Sequence, residues 1–161
     1  MTGKSELDVV DRKVLRALTA DGRASYQGIA DLVGLSRPAV MERVKRLEEA
    51  GYIKGYAARI DRARMGFPVT AFVAVRYASQ DTASYEPLMQ QLAAHPNVLE
   101  CHHVAGEDCY ILKVATANLE RLQGLLRDLH GPTGKTSVNT RTTIVLSTMF
   151  EKPGIVPAEL D

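Results

Sequence analysis

The sequence predicts an α+β protein in two parts: an N-terminal three-helix (winged) helix-turn-helix domain, then a C-terminal βαββαβ ferredoxin-like domain. Three observations lead there. Apolar residues recur at helical spacing up to about residue 50. From Pro68 the period changes to that of strands. Beyond it, the order of strand-like and helix-like stretches is that of the split βαβ arrangement. The expected divisions are 1–53 for the helical domain, 54–66 for a linker strand and hinge, 67–150 for the second domain and 151–161 for a tail.

Residues 1–6 are polar and expected to be loose. A first helix starts at Asp8, with Asp8 and Asp11 spaced as a capping box and Leu7 as a staple. Its buried stripe is Val10, Val14, Leu15 and Leu18, and Gly22 is expected to stop it through a positive φ. Ser25 caps a second helix with Tyr26, Ile29, Ala30 and Val33 inward, and a tight turn falls at Gly34. Ser36 caps a third helix, buried along Val40, Val44 and Leu47. Its opposite face is expected to carry Arg37, Arg43 and Arg46, with Lys45 nearby. Two apolar stripes meeting across a Gly turn, with a basic second member, fit a DNA-binding helix-turn-helix or an ordinary helical hairpin with a solvated face.

Gly51 closes the third helix, and 52–60 reads as extended, a wing or a linker, broken at Gly55. Val69, Ala71, Val73 and Val75 then alternate with Thr70, Phe72, Ala74 and Arg76, so both faces are fairly apolar. One face can pack on helices of the same subunit, and the other needs a cover such as another subunit's sheet. A helix is expected over 84–94, a strand over 98–104, a tight turn at 106–108, a returning strand over 109–115, a helix over 118–129 capped by Asn118, a loop over 130–134 and a last strand over 138–148. The tail is expected to be irregular or clipped onto a neighbour.

Composition narrows the function classes. The chain has 161 residues, 45% hydrophobic and 24% charged, with a formal net charge of +1. Residues 1–60 hold 11 Lys+Arg against 8 Asp+Glu, a net of +3, and 61–161 hold 9 against 11, a net of −2. A basic first part on an acidic remainder suits a nucleic-acid module joined to something else. No apolar run reaches transmembrane length and no signal-peptide core opens the chain, so a cytoplasmic protein with reduced thiols and no membrane partner is expected. Cys101, His102 and His103 alternate across a strand, and no ligand cluster joins them, so no metal site is expected. Phosphate-loop and HExxH patterns are absent, and no third group orients a cysteine–histidine pair, so no catalytic residues and no enzyme activity are expected. Gly106-Glu107-Asp108 could accept hydrogen bonds from an ammonium group or be a solvated turn. Thr140 and Thr142, with Thr136 before them, could be ligand hydroxyls or strand formers.

Three stretches resemble the Lrp/AsnC family of leucine-responsive, or feast/famine, regulators. The opening Leu7-Asp8-Val9-Val10-Asp11-Arg12-Lys13-Val14-Leu15 is similar to L-D-x-x-D-x-x-I-L. Residues 33–53 resemble the run V-G-L-S, R-(V/I)-x-R-L-E, x-G-(Y/F/V)-I, and 104–114 resemble V-x-G-x-x-D-Y-L-L-K-V. The resemblance covers roughly 7–150. It implies a transcription regulator whose N-terminal domain binds double-stranded DNA. The second, a regulatory (RAM) domain, would pair sheet to sheet in a homodimer assembling to an octamer or similar ring, with an amino-acid effector in clefts between regulatory domains and no other cofactor. An effector-independent architectural DNA-binding protein is the alternative.

Carried over by motif, Arg37, Pro38 and Arg43 lie on or by the recognition helix. Ser25, Tyr26, Gln27 and Ser36 stand at helix starts, where they can meet phosphates. Lys45 and Arg46 either join them or fix a neighbouring glutamate. Gly106, Glu107 and Asp108 match the turn lining the effector cleft, faced by Gly134, Lys135 and Thr136 and by Thr140 and Thr142. The family turn often has an acidic residue just before the tyrosine, where this chain has Cys109, a redox handle or a structural thiol.

Overall fold

The computed structural model describes residues 7–77, 86–129, 138–152 and 154–155. The chain divides into two compact units, Met1–Arg59 with Met149–Asp161, and Ile60–Thr148.

In the first unit, α1 (Val9–Ala20), α2 (Tyr26–Val33) and α3 (Arg37–Glu49) enclose one core. Val14, Ile29, Ala30, Val40, Val44 and Leu47 are buried at its centre, with Leu7, Val10, Leu15, Leu18 and Val33 packed around them. The expected caps form. Asp8 and Asp11 make both halves of a capping box, and the side chains of Ser25 and Ser36 accept from Gly28 N and Ala39 N. Gly34 takes φ 70° as the left-handed cap of α2, a conformation that favours glycine because it has no Cβ.

Two expectations here are corrected. Gly22 does not adopt a positive φ; α1 is ended by Asp21, whose backbone is extended and whose carboxylate accepts Arg23 N at 2.8 Å. Tyr26 is not inward but exposed. It is the first helical residue of α2, beyond the reach of the core that covers Ile29 and Ala30. Residues 53–60 join no ladder. Arg59 Nη2 donates to the Glu151 carbonyl at 2.8 Å, tying this segment to the tail inside the first unit.

In the second unit, β1 (Val69–Tyr77), α4 (Glu86–Ala94), β2 (Val98–His103), β3 (Tyr110–Thr116), α5 (Leu119–Leu129) and β4 (Val138–Ile144) give the βαββαβ order. The strands form one antiparallel sheet in the order β2-β3-β1-β4. Ala71, Val73, Val75, Leu112 and Val114 turn to the side where Leu92 of α4 and Leu122, Leu125 and Leu129 of α5 bury them. Burying each such Val or Leu contributes roughly 1.5–3 kcal/mol. Asn118 caps α5, its Oδ1 accepting Arg121 N at 2.8 Å.

The expected 84–94 helix is Glu86–Ala94; its first two residues lie outside the described residues. The last strand ends at Ile144 rather than 148. Its partner β1 begins at Val69, directly after Pro68, and the final hydrogen bond runs from Val145 N to Thr70 O, so residues 146–148 have no strand to pair with.

Candidate functional site

The N-terminal unit presents α3 as an exposed edge of the three-helix core. Its first turn is organised by Ser36, whose hydroxyl accepts the Ala39 N–H while keeping its own proton to donate. Arg37 is exposed at the first helical position and Pro38 follows it. Arg37, Met41 and Lys45, each four residues on, form one outward line. Pro38, Met41, Glu42, Lys45 and Glu48 line an open groove of about 350 Å³, closed on the other side by Tyr26 of α2. Lys45 Nζ stands 3.8 Å from Glu49, and its side chain is 69% exposed, so it remains able to reach an anion. Ser25 caps α2 and Gln27 Nε2 donates to Asp31 Oδ1 at 2.8 Å. At the foot of α3, the Tyr56 hydroxyl donates to Glu48 Oε1 at 3.0 Å. Burial, Glu48 and the neighbouring Tyr26 push the Tyr56 phenol up to about 12.

The expected cationic face is corrected at two residues. Arg43 and Arg46 do not share the outward line of Arg37. Arg43 Nη1 donates to Asp8 Oδ2 at 2.6 Å and to Asp11 Oδ1 at 2.8 Å. Arg46 Nη2 donates to both oxygens of Asp11 at 2.7 Å. The physical reason is spacing. Three residues apart, they flank the Val40–Val44–Leu47 stripe on the side where α3 meets the start of α1, and Asp11 is buried there at 2% exposure.

In the second unit, the turn at 105–108 closes the β2–β3 hairpin. Val104 N donates to Cys109 O, Cys109 N donates to Val75 O, and Gly106 takes φ 139°. Asp108 is half-buried and Oδ2 accepts from Arg141 Nη2 at 2.9 Å. Thr140 and Thr142 pair with Val75 and Val73, on the helix-covered side of the sheet, whereas Arg141 pairs with Ala74 on the other. The turn and Thr140 therefore stand at one end of the sheet, but the residue that meets Asp108 is Arg141. Gly134, Lys135 and Thr136 lie outside the described residues. Cys109 packs against the core as a half-buried free thiol, and Cys101 Sγ lies 3.9 Å from Met89 Sδ. Sequence reasoning missed Arg141; its one signal was an isolated arginine among the threonines of a strand.

The uncovered sheet face carries Phe72, 43% exposed, with Ala74 and Ile111 beside it. Glu100 on the same face accepts from His102 Nε2 at 3.2 Å and Lys113 Nζ at 3.1 Å. The hydrogen bond from His102 holds the Glu100 carboxyl below its usual range, outweighing burial, with Lys113 adding to it.

Comparison with known proteins agrees with both units. Residues 7–54 match winged helix-turn-helix DNA-binding domains and residues 70–155 match the Lrp/AsnC ligand binding domain. The chain is 37% identical over 151 residues to the HTH-type transcriptional regulator LrpA of Mycobacterium tuberculosis, spanning 94% of this chain and 97% of that one. It is 34% identical over 145 residues to the leucine-responsive regulatory protein of Rhizobium meliloti, spanning 89% and 93%. Among solved structures, a feast or famine regulatory protein from M. tuberculosis complexed with L-methionine superposes with a TM-score of 0.84 at 36% identity, covering 94% of this chain and all of that one. The two units thus define a DNA-binding transcriptional regulator with a separate ligand-binding domain. The chain belongs to the Lrp/AsnC family.

Proposed function

We propose that this protein regulates transcription from specific operators in response to an amino acid. The observation that carries the DNA reading is the outward line of Arg37, Met41 and Lys45 on α3, with the Ser36-capped helix N-terminus beside it. In this reading α3 enters the major groove. Arg37 and Lys45 meet phosphate. Ser25, Tyr26, Gln27, Ser36 and Pro38 flank the backbone, where hydroxyls, the amide and helix N-terminal N–H groups bind anions. Arg43 and Arg46 are assigned a bracing role.

The amino acid would sit against Gly106, Glu107 and Asp108, its ammonium on Asp108, with Thr140 and Thr142 and the 134–136 loop as further candidates. The L-methionine complex of the M. tuberculosis relative supports an amino acid as the ligand class. The exposed Phe72 face supports a homodimer joined sheet to sheet, from which an octamer or similar ring is built. The protein acts by binding, without a catalytic step, in the cytoplasm. A two-fold dimer places half-sites about 34–36 Å apart, or a multiple of that.

Selection of bound genomic fragments with and without each amino acid tests this. An operator set whose occupancy changes with one amino acid is expected, and Arg37→Ala abolishes the selection. Even coating of all fragments, indifferent to every amino acid, favours the architectural alternative.

A further inference from the structure

Four charged side chains join α1 to α3 in the N-terminal unit, two carboxylates and two guanidiniums. Asp8 and Asp11 are already committed to each other's backbone N–H groups through the capping box, at 2.7 and 3.2 Å. The same carboxylates also accept from Arg43 and Arg46, 32–35 residues further along the chain. Asp11 cannot turn to solvent, whereas the Arg43 and Arg46 side chains are 25% and 47% exposed. The buried carboxylate therefore sets the geometry and the arginines follow it. Because Arg43 and Arg46 lie three residues apart on α3, their joint grip on one carboxylate fixes the helix against rotation about its own axis. That rotation decides whether Arg37, Met41 and Lys45 face outward together.

We infer that Asp11, supported by Asp8, is the positioning residue of the reading helix, and that it withdraws Arg43 and Arg46 from the phosphates. The inference rests on the proposed DNA reading of α3. It predicts a division among the cations of one helix: Arg37 and Lys45 neutralise DNA phosphates, and Arg43 and Arg46 neutralise Asp11 and Asp8.

Salt dependence separates the two roles. Removing one cation that neutralises a phosphate flattens the slope of log K against log salt by about 0.9, so about 1.8 for a dimer with both subunits on DNA. Removing a cation that only braces the helix lowers operator affinity without changing the slope. The full-length protein is titrated onto an operator duplex, and onto a scrambled duplex, between about 50 and 200 mM salt, a range wide enough to resolve such slopes. Arg37→Ala and Lys45→Ala are expected to lower affinity and flatten the slope. Arg46→Gln is expected to lower operator affinity several-fold at unchanged slope. Asp11→Asn is expected to bring operator and scrambled affinities together and to steepen the slope, as freed arginines reach phosphate.

Flattening in Arg46→Gln equal to that in Arg37→Ala overturns the inference, and so does Arg46→Gln binding the operator as the wild type does. If circular dichroism shows Asp11→Asn unfolded, Arg46→Gln, altered at a half-exposed side chain, decides alone. If Arg37→Ala and Lys45→Ala also match the wild type in affinity and slope, the DNA reading of α3 has failed, and that failure is visible separately.

Discussion

Asp108 and Arg141 form an ion pair across the end of the regulatory sheet, Oδ2 to Nη2 at 2.9 Å, with the carboxylate half-buried and the guanidinium largely exposed. The turn's candidate ammonium acceptor therefore already holds a cation. An incoming amino acid must displace or share that arginine, and its charge at the α-nitrogen becomes essential. Asp108→Asn should weaken amino-acid binding by about 1.5–3 kcal/mol, the range of hydrogen bonds to charged groups, or roughly ten- to a hundredfold in Kd. Isothermal titration with the responsive amino acid checks this, and the N-acetylated form should give no heat even with the wild type. An unchanged Kd in the variant would remove Asp108 from the site.

Tyr56 and Glu48 join residues 53–60 to the foot of α3 through one hydrogen bond, and burial and Glu48 raise the phenol's pKa to about 12. The folded value lies above the ordinary tyrosine value of 10.0. The stabilisation is therefore full below about pH 10 and is lost as pH rises through about 12, where the folded protein must also ionise. Tyr56→Phe should abolish this alkaline loss, leaving the melting temperature flatter between about pH 10 and 12 than in the wild type. A parallel pH profile in both proteins would show that Tyr56 ionises as in the unfolded chain.

The features legible in the sequence are local or periodic. The Asp8–Asp11 capping box, the Ser25 and Ser36 caps and the left-handed Gly34 each depend on a few consecutive residues. The alternation in β1 follows from period alone. What was not legible joins residues far apart. Arg43 reads as a surface cation, and Arg46 as a surface cation or the partner of a neighbouring glutamate, because nothing near them in sequence shows a carboxylate buried at residue 11. Arg141 meets Asp108 across 33 residues, on the opposite face from the neighbouring threonines. The end of β4 likewise depends on where Pro68 starts its partner.

Asp8 should make the N-terminal unit sensitive to acid. Burial pushes its carboxyl up, but the hydrogen bond from Arg43, then that from Asp11 N and the Arg43 charge, together hold it below the ordinary value of 3.8. A depressed carboxylate stabilises the fold above its unfolded pKa, and that contribution disappears as pH falls from about 4 through the folded value. Urea midpoints followed by circular dichroism should drop as pH falls below about 4 in the wild type, and less steeply in Asp8→Asn. Equal drops would assign the acid sensitivity to other carboxylates.

Phe72 should decide self-association. It stands on the uncovered sheet face, paired across strands with Thr143 and Lys113 and flanked by Ala74 and Ile111. In an isolated subunit, Phe72→Glu is tolerated, because a carboxylate at this exposed position meets water. Buried between two sheets, the same carboxylate would lose its hydration, at a cost of several kcal/mol per subunit. Sedimentation velocity should therefore show the wild type as a dimer or larger ring and Phe72→Glu as a folded monomer with an unchanged far-ultraviolet spectrum. Because a paired reader binds half-sites together, operator affinity should fall by at least about a hundredfold in that monomer, the low end of what linked binding supplies. A variant that remains dimeric would move the interface away from this face.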